Sequence, residues 1–412
     1  MNVHTAVFRH SRAPVAETYP PARRGTVILW GQLAALPVGG LVWQVWHYLV
    51  PLRRLGFDVW YVEDSDRELY ELETFGPTLD PEAYRANIGR LAQAMAAVGL
   101  GDRWAFREPT TETVIGATDA QGLERLYGEA VCAFNLCGAQ EITDRHRAIA
   151  NLVYLETDPV RMQIGVAQGN VDAIETLDCY DWHFTYGRAF GTPGCRVPLM
   201  RYDWKLTVPP VCPEFWRASE PLAADAPLTT VCNWKHSGKD VTWQGETWRW
   251  TKDGEFNRVL DLPGRSALPL EICLGGASED ERARIATHGW SLKRAGDYAD
   301  PDDYRRYIMA SRGEFSAAKE QVVMSRCGWV SDRTVCYLAA GRPAIVQDTG
   351  IGAVLPVGEG LVTFRTAEEA FGAIEDVAAN YDRHAEAARA LVDRYFDADR
   401  VVGDIVAAIG LA

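Results

Sequence analysis

A strand, a helix and a second strand follow one another between Thr26 and Asp64, and that succession limits the fold more than any other feature of the chain. "TVILWG" (Thr26–Gly31) carries the apolar run Val27–Trp30 and reads as a buried strand. After the loop "QLAALPVGG" comes the helix "LVWQVWHYLVPLRRLG", which Gly56 stops, and "FDVWYVED" (Phe57–Asp64) is a strand that ends in acids. A β-loop-α-β unit joins parallel strands by a right-handed crossover, so it announces a parallel sheet with helices on its faces. A helix from about Pro81 to Gly99 follows, then the strands "AVCAFNLCG" (Ala130–Gly138), "NLVYLETDP" (Asn151–Pro159) and "DWHFTYG" (Asp181–Gly187).

Between Val208 and Pro227 the pattern breaks. "VPPVCPEFWRASEPLAADAP" carries five prolines and no periodicity, which is how a domain boundary reads. A second alternation then begins with the strand "LTTVCNW" (Leu228–Trp234), a helix over Glu255–Pro263 and the strand "LPLEICLGG" (Leu268–Gly276). "SEDERARIATHG" opens as a capping box, and "DPDDYRRYIMAS" has Asp300 as cap with Pro301 at its first helical position. Two long amphipathic helices, about Ala367–Tyr381 and His384–Ala412, close the chain, the second with a bend near Tyr395-Phe396 and a new cap at Asp397 or Asp399. The expected organisation is a mobile arm over 1–24, one Rossmann-like domain over 25–222, a second over 223–385, and terminal helices over 386–412. Two doubly wound α/β sheets in tandem leave a cleft between their carboxyl ends, where ligands of such sheets bind.

A length of 412 residues suits two cores rather than one, and 47% hydrophobic with 24% charged residues is the make-up of an ordered globular chain. A net charge of −14 without any Lys/Arg-rich run makes duplex nucleic acid an unexpected partner. Nine cysteines without a CxxC pair point to a reducing compartment, and the polar start shows no signal peptide; a cytoplasmic protein is expected. The longest apolar helix, from Leu41, is about half the ~20 residues a membrane span needs.

The stretch "GWVSDRTVCYLAAGRPAIVQDTG" (Gly328–Gly350) holds the strongest chemical signal. It reads as a turn, a helix from Ser331 to about Ala340, a Gly-Arg-Pro break and the buried strand Ala344–Val346. The backbone N–H groups at the start of that helix form an anion site if they face the cleft. Arg333 would then add a bidentate phosphate contact, and Asp332 or Asp348 would accept from sugar hydroxyls. The plainer reading is an α/β unit in which Ser331 is an ordinary cap, Asp332 a partner of the helix dipole and Arg333 a solvated charge.

In order and spacing, "YRRYIMASRGEFSAAK", "GWVSDRTVCYLAAGRPAIVQDTG", "LPVGEGLVTFRTAEEAFGAIEDV" and "AARALVDRYFDADRVVGDI" resemble the C-terminal half of GT-B-fold glycosyltransferases. The likeness covers roughly residues 228–412; the first half matches only as a Rossmann-like domain. The chain departs from the usual pattern in lacking the pair of glutamates that flank the helix: Asp332 stands near the first position and Ala339 and Ala340 near the second. The resemblance implies transfer of a sugar from a nucleotide diphosphate donor, a co-substrate rather than a bound cofactor, to a small-molecule or glycan acceptor. The donor would lie on the second domain against Glu314, Ser316, Lys319, Ser331, Asp332, Arg333, Asp348 and Thr349. Lys235 and Lys239, on the loop after the strand that ends at Trp234, would meet its diphosphate. It also implies a terminal helix that crosses back to the first domain, for which Val401, Val402, Ile405, Val406 and Ile409 supply an apolar face.

On the first domain, Gly39 and Gly40 would let the backbone approach a ligand. An acid at a strand's carboxyl end suits a general base, with Asp158 preferred and Glu156 next, although Asp158-Pro159 also reads as a plain turn. His47 and His183 read as packed core histidines and His236 as an exposed one. Trp234, Trp243, Trp248 and Trp250 either stack on a base or sugar or pack a long insert against the domain. No metal is expected, since neither HExxH nor a Cys/His cluster is present and "DSD" (Asp64–Asp66) fits DxD only in its letters. An epimerase of nucleotide sugars and a non-catalytic nucleotide- or sugar-binding protein share these features and remain open.

Overall fold

The computed structural model describes residues 19–70, 77–78, 80–217, 221–236 and 238–411. Of the expected N-terminal arm, residues 1–18 lie outside the described residues. Its last residues run along the first domain, where the Arg23 and Arg24 N–H groups donate to the Gly56 carbonyl and the Arg24 guanidinium lies over the Phe57 ring.

The first half of the chain builds one sheet from β1 (Thr26–Trp30), β2 (Asp58–Glu63), β3 (Trp104–Arg107), β4 (Val114–Gly116), β5 (Ala130–Leu136), β6 (Leu152–Glu156), β7 (Trp182–Thr185) and β8 (Trp204–Leu206). Their order is β4-β3-β2-β1-β5-β6-β7-β8, all parallel except β4. Val27 to Trp30 of β1 are fully buried, as a central parallel strand covered by helices on both faces requires. The second half forms β9 (Leu228–Asn233), the hairpin β10 (Val241–Trp243) and β11 (Glu246–Trp248), then β12 (Leu270–Gly275), β13 (Ser291–Arg294), β14 (Gly313–Ser316), β15 (Ala344–Gln347) and β16 (Leu361–Phe364). Its parallel sheet runs β13-β12-β9-β14-β15-β16, the doubly wound order whose crevice opens between β9 and β14.

One expected helix shortens, and two further segments take forms that the sequence left open. Despite the polar residues in "GEFSAAK", Gly313–Ser316 is the fully buried strand β14, because Glu314 finds an arginine inside. The helix over Glu255–Pro263 shrinks to Asp253–Asn257 followed by a 3-10 turn at Leu262–Gly264, consistent with the proline at 263. The tryptophan-rich insert forms the β10–β11 hairpin, and Val241 and Trp248 are buried in a cluster with Val160 and Ile164 of the first domain.

The tail returns to the first domain. After the helix Tyr381–Leu391 the chain widens into a π-helical turn at Val392–Phe396 and restarts at Asp397, whose carboxylate accepts from the Arg400 N–H at 3.1 Å. Val401, Val402, Ile405 and Val406 of the helix Ala398–Ala408 are buried in one cluster with Trp46, Val50 and Leu52 of the helix Gly39–Arg54. A backbone bridge from the Val211 N–H to the Phe396 carbonyl (2.8 Å) and from the Ala398 N–H to the Val211 carbonyl (2.9 Å) ties the two chain crossings together.

Candidate active site

The carboxyl ends of both sheets meet across a narrow cleft. On the second domain, the crevice between β9 and β14 has the start of the helix Asp332–Ala339 as one wall, capped by the Ser331 hydroxyl, which accepts from the Arg333 N–H at 3.2 Å. Ser316, Ala318, Trp329, Thr349 and Lys252 complete it. Its free volume is about 20 Å³, room for about one water.

Lys252 is the residue that reading the sequence missed. It stands just before the helix Asp253–Asn257, and only 6% of it is exposed. Its ammonium has no hydrogen-bond or ion-pair partner among the described residues. Burial, with Arg333 beside it, lowers its pKa to about 7. A largely buried lysine without an ion-pair partner, in the crevice that also holds the start of the helix Asp332–Ala339, stands where a cation and backbone N–H groups could face one anion. Nothing in "WTKDGEF" marks this lysine; only its surroundings do.

Beside the crevice Trp250 forms a platform. The Lys319 ammonium lies 3.9 Å from its ring centre, that of Lys239 4.4 Å, and the His236 ring centre 4.5 Å. Burial, and then Lys319, push His236 down to about 4, so the histidine expected to be exposed is a neutral, half-buried neighbour of this platform. From the first domain, Asp158 reaches across: its Oδ2 accepts from Lys319 Nζ at 2.5 Å and from Trp250 Nε1 at 2.8 Å, while its buried Oδ1 has no partner. A second bridge runs from Trp329 Nε1 to the Thr157 carbonyl at 2.8 Å.

Several expected ligands are engaged otherwise. Arg333 is not a solvated helix-start charge: its side chain is 11% exposed, and it donates to Glu314 Oε1 (2.6 Å), the Val231 carbonyl (2.6 Å) and the Ser316 hydroxyl (2.9 Å). Glu314 is correspondingly spent inside, with its Oε2 unpartnered. Lys235 turns away to Glu281 at 2.5 Å. Asp348 accepts from Arg365 and from the Gly350 N–H, and the Thr349 hydroxyl donates to the Trp329 carbonyl, so both brace the loop that carries Trp329.

The Asp332 carboxylate faces the first domain, where it accepts from Gln44 Nε2 at 2.9 Å and the Tyr186 hydroxyl at 3.2 Å; burial raises it to about 7. Glu156 is not an open cleft acid. It is 3% exposed, accepts from Thr185 and Gln163 at 2.7 Å, and is raised by burial to about 8, which leaves it largely protonated at neutral pH. Gly39 serves packing rather than ligand approach, since a Cβ there would lie 2.8 Å from Tyr304 Cβ and 2.9 Å from the Tyr298 carbonyl; Gly40 likewise faces the Tyr304 ring. His47 is a core residue that accepts from the Cys212 N–H, and His183 packs against the Leu177 carbonyl. Among the described residues no group of His, Cys, Asp and Glu is arranged to hold a metal ion.

No protein-family model and no curated protein matches the chain. Solved structures do match in shape. One is an alpha-glucosyltransferase in complex with UDP and a 13-mer DNA containing an HMU base, 11% identical with a TM-score of 0.55, over 93% of this chain and 99% of that one. Another is HepE of Anabaena in complex with UDP and glucose (12%, TM-score 0.52, 94% and 100%). A third is AviGT4, a glycosyltransferase involved in avilamycin A biosynthesis (11%, TM-score 0.53, 93% and 96%). At such identity the likeness establishes the fold, the two Rossmann-like domains of GT-B proteins.

Proposed function

We propose that this chain is a glycosyltransferase that moves a sugar from a nucleoside diphosphate to an acceptor, without need of a metal. The observation that carries this reading is the partnerless Lys252 ammonium beside a helix N-terminus, in the crevice between β9 and β14. Lys252, Lys319 and Lys239 form a cationic wall for a diphosphate, with the N–H groups at Ser331 and Asp332 as its neutral donors. Those groups would hold the negative charge that develops on the departing diphosphate. Two structural neighbours were solved in complex with UDP, which makes a uridine donor the first to test.

Asp158 is the acid we assign to the acceptor hydroxyl. In the structure it fills the place an anion would take beside Lys319, so donor phosphates and Asp158 compete for the same lysine. A bound donor would draw Lys319 to itself and free the carboxylate to accept a proton from the acceptor. We take residues 25–222 as the acceptor domain and 223–385 as the donor domain, with residues 386–412 crossing back. The nine free cysteines support a cytoplasmic setting, and no helix among the described residues is long and apolar enough to cross a membrane. The charge of −14 argues against duplex nucleic acid, whereas one neighbour was solved with DNA; DNA therefore belongs in the acceptor panel beside sugars and glycans.

The test is incubation with a panel of nucleotide sugars, with and without acceptors, in the presence of EDTA, followed by product mass. An acceptor heavier by one sugar, with release of nucleoside diphosphate, is expected. Conversion of the donor sugar without any acceptor would instead identify an epimerase, and loss of turnover in EDTA with recovery in magnesium would contradict metal independence.

A further inference from the structure

A second cavity lies where the two chain crossings meet, two strands along the sheet edge from the strand that delivers Asp158. It has a volume of about 300 Å³ and an apolar floor that includes Phe184 at the end of β7, Leu355 of the second domain and Ile405 of the terminal helix. Its rim carries Arg188, Lys205, Arg394 and Arg400 against the single carboxylate of Asp404. In a molecule of net charge −14 that concentration of cations runs against the surface as a whole.

The cations are sparingly used by the protein. Arg188 makes one long bond, Nη1 to the Leu206 carbonyl at 3.4 Å, and Arg400 donates to the Asp393 carbonyl at 2.6 Å. Arg394 lies over the Tyr395 ring, and neither it nor Arg188 nor Arg400 has a carboxylate within 4.0 Å among the described residues. Lys205 alone pairs with an acid, the largely exposed Asp203 at 3.2 Å. Each guanidinium has five N–H donors, so most of this capacity is unspent. The apolar side is equally open: Leu206 is 37% exposed, and an adjoining cavity of about 590 Å³ shares Arg394 and Tyr395 and reaches Val357, itself 38% exposed. Two of the large hydrophobic side chains that stay exposed thus border the same cationic rim.

We propose that this joint pocket binds a ligand that joins a phosphate-type anion to an apolar body, the anion on Arg188, Arg394 and Arg400 and the body on the floor between the two domains. Such a ligand touches β7 and β8, the linker at Thr207-Val208, Leu355 and the terminal helix at once. Its binding is therefore coupled to the angle between the domains. The chemistry is shared by two sources, a soluble amphiphilic phosphate and the headgroup region of an anionic lipid.

The test titrates octyl phosphate, inorganic phosphate and octyl glucoside onto the full chain, and onto the Arg188→Gln/Arg394→Gln variant, with UDP binding as an independent readout. Octyl phosphate is expected to bind at least about tenfold more tightly than either half-probe, and the double variant to lose at least about tenfold of that affinity, the worth of one or two charge-assisted bonds. UDP affinity is expected to stay within about twofold, which separates this site from the donor crevice. If the double variant does not fold, Leu355→Trp, which fills the floor, is expected to lose octyl phosphate in the same way. Sedimentation with phosphatidylglycerol–phosphatidylcholine vesicles but not with phosphatidylcholine alone assigns the lipid source; octyl phosphate binding without sedimentation assigns the soluble one. Octyl phosphate that binds no better than octyl glucoside, or as well to a folded variant as to the native chain, overturns the proposal.

Discussion

Two buried cations within one crevice have opposite fates, and the difference sets their expected mutant behaviour. Arg333 has the Glu314 carboxylate and two further acceptors, so Arg333→Ala would leave a buried acid unpaired. It is expected to lower stability by about 3 kcal/mol, read as a shifted denaturation midpoint, rather than to act on donor affinity alone as a solvated arginine would. Lys252 has no partner, so Lys252→Met is expected to keep or raise the melting temperature while weakening UDP at least about tenfold. The same lysine carries a pH signature. Its folded pKa of about 7 lies below the ordinary lysine value, so above pH 7 the unfolded chain binds more protons at this position and its contribution to stability rises with pH. A diphosphate reverses the preference: binding then takes up a proton, and UDP affinity is expected to fall as pH rises from 7 to 9. Calorimetry in buffers of different ionisation heat should show that uptake in the native chain and a smaller one in Lys252→Met.

At the scale of elements, the sequence was informative where burial leaves a pattern within one segment. The strands β1, β2, β5, β6 and β7 are apolar runs set off by glycines and acids, and the helix starts at Ser278 and Asp300 are written in their caps. The hairpin β10–β11 was not legible, because Val241 and Trp248 are buried in a cluster drawn from both domains, Val160 and Ile164 on one side and Ala318 and Val322 on the other, rather than by a repeating face of their own element. Strand β14 was obscured for the same kind of reason, since a buried glutamate reads as polar until its arginine from another helix is known. In the cleft, Asp158 and Lys239 were singled out from their positions after strands and Lys319 from the resemblance alone, whereas nothing marked Lys252, and Lys235 and Arg333 turn to partners within their own domain. The tail could be read from spacing, and a test follows: Ile405 is 2% exposed against the first domain's long helix, so Ile405→Ala is expected to cost about 2–5 kcal/mol. An unchanged unfolding midpoint would show that the helix contributes nothing to the joint.

At the scale of the whole molecule, side-chain bridges span the cleft between the two domains. Asp158 with Lys319 and Trp250, Trp329 with Thr157, and Gln44 and Tyr186 with Asp332 join the two domains across a crevice too small for a diphosphate. On the proposed function, a donor would enter only as these bridges yield, as in enzymes gated by domain motion. Asp158→Asn, which removes the competing charge at constant size, is expected to tighten UDP by several-fold, at most about tenfold, while lowering transfer to the acceptor. Equal UDP affinity in the variant and native chains would show that Asp158 does not stand in the donor's place. The most direct test of the central claim is calorimetric titration of uridine, UMP and UDP onto the native chain and Lys252→Met in parallel. The arrangement of Lys252, Lys239 and Lys319 predicts that UDP exceeds UMP and uridine by at least about tenfold, and that Lys252→Met erases most of that advantage in a protein that still folds. UDP that binds no better than uridine, or as tightly to Lys252→Met as to the native chain, would contradict it.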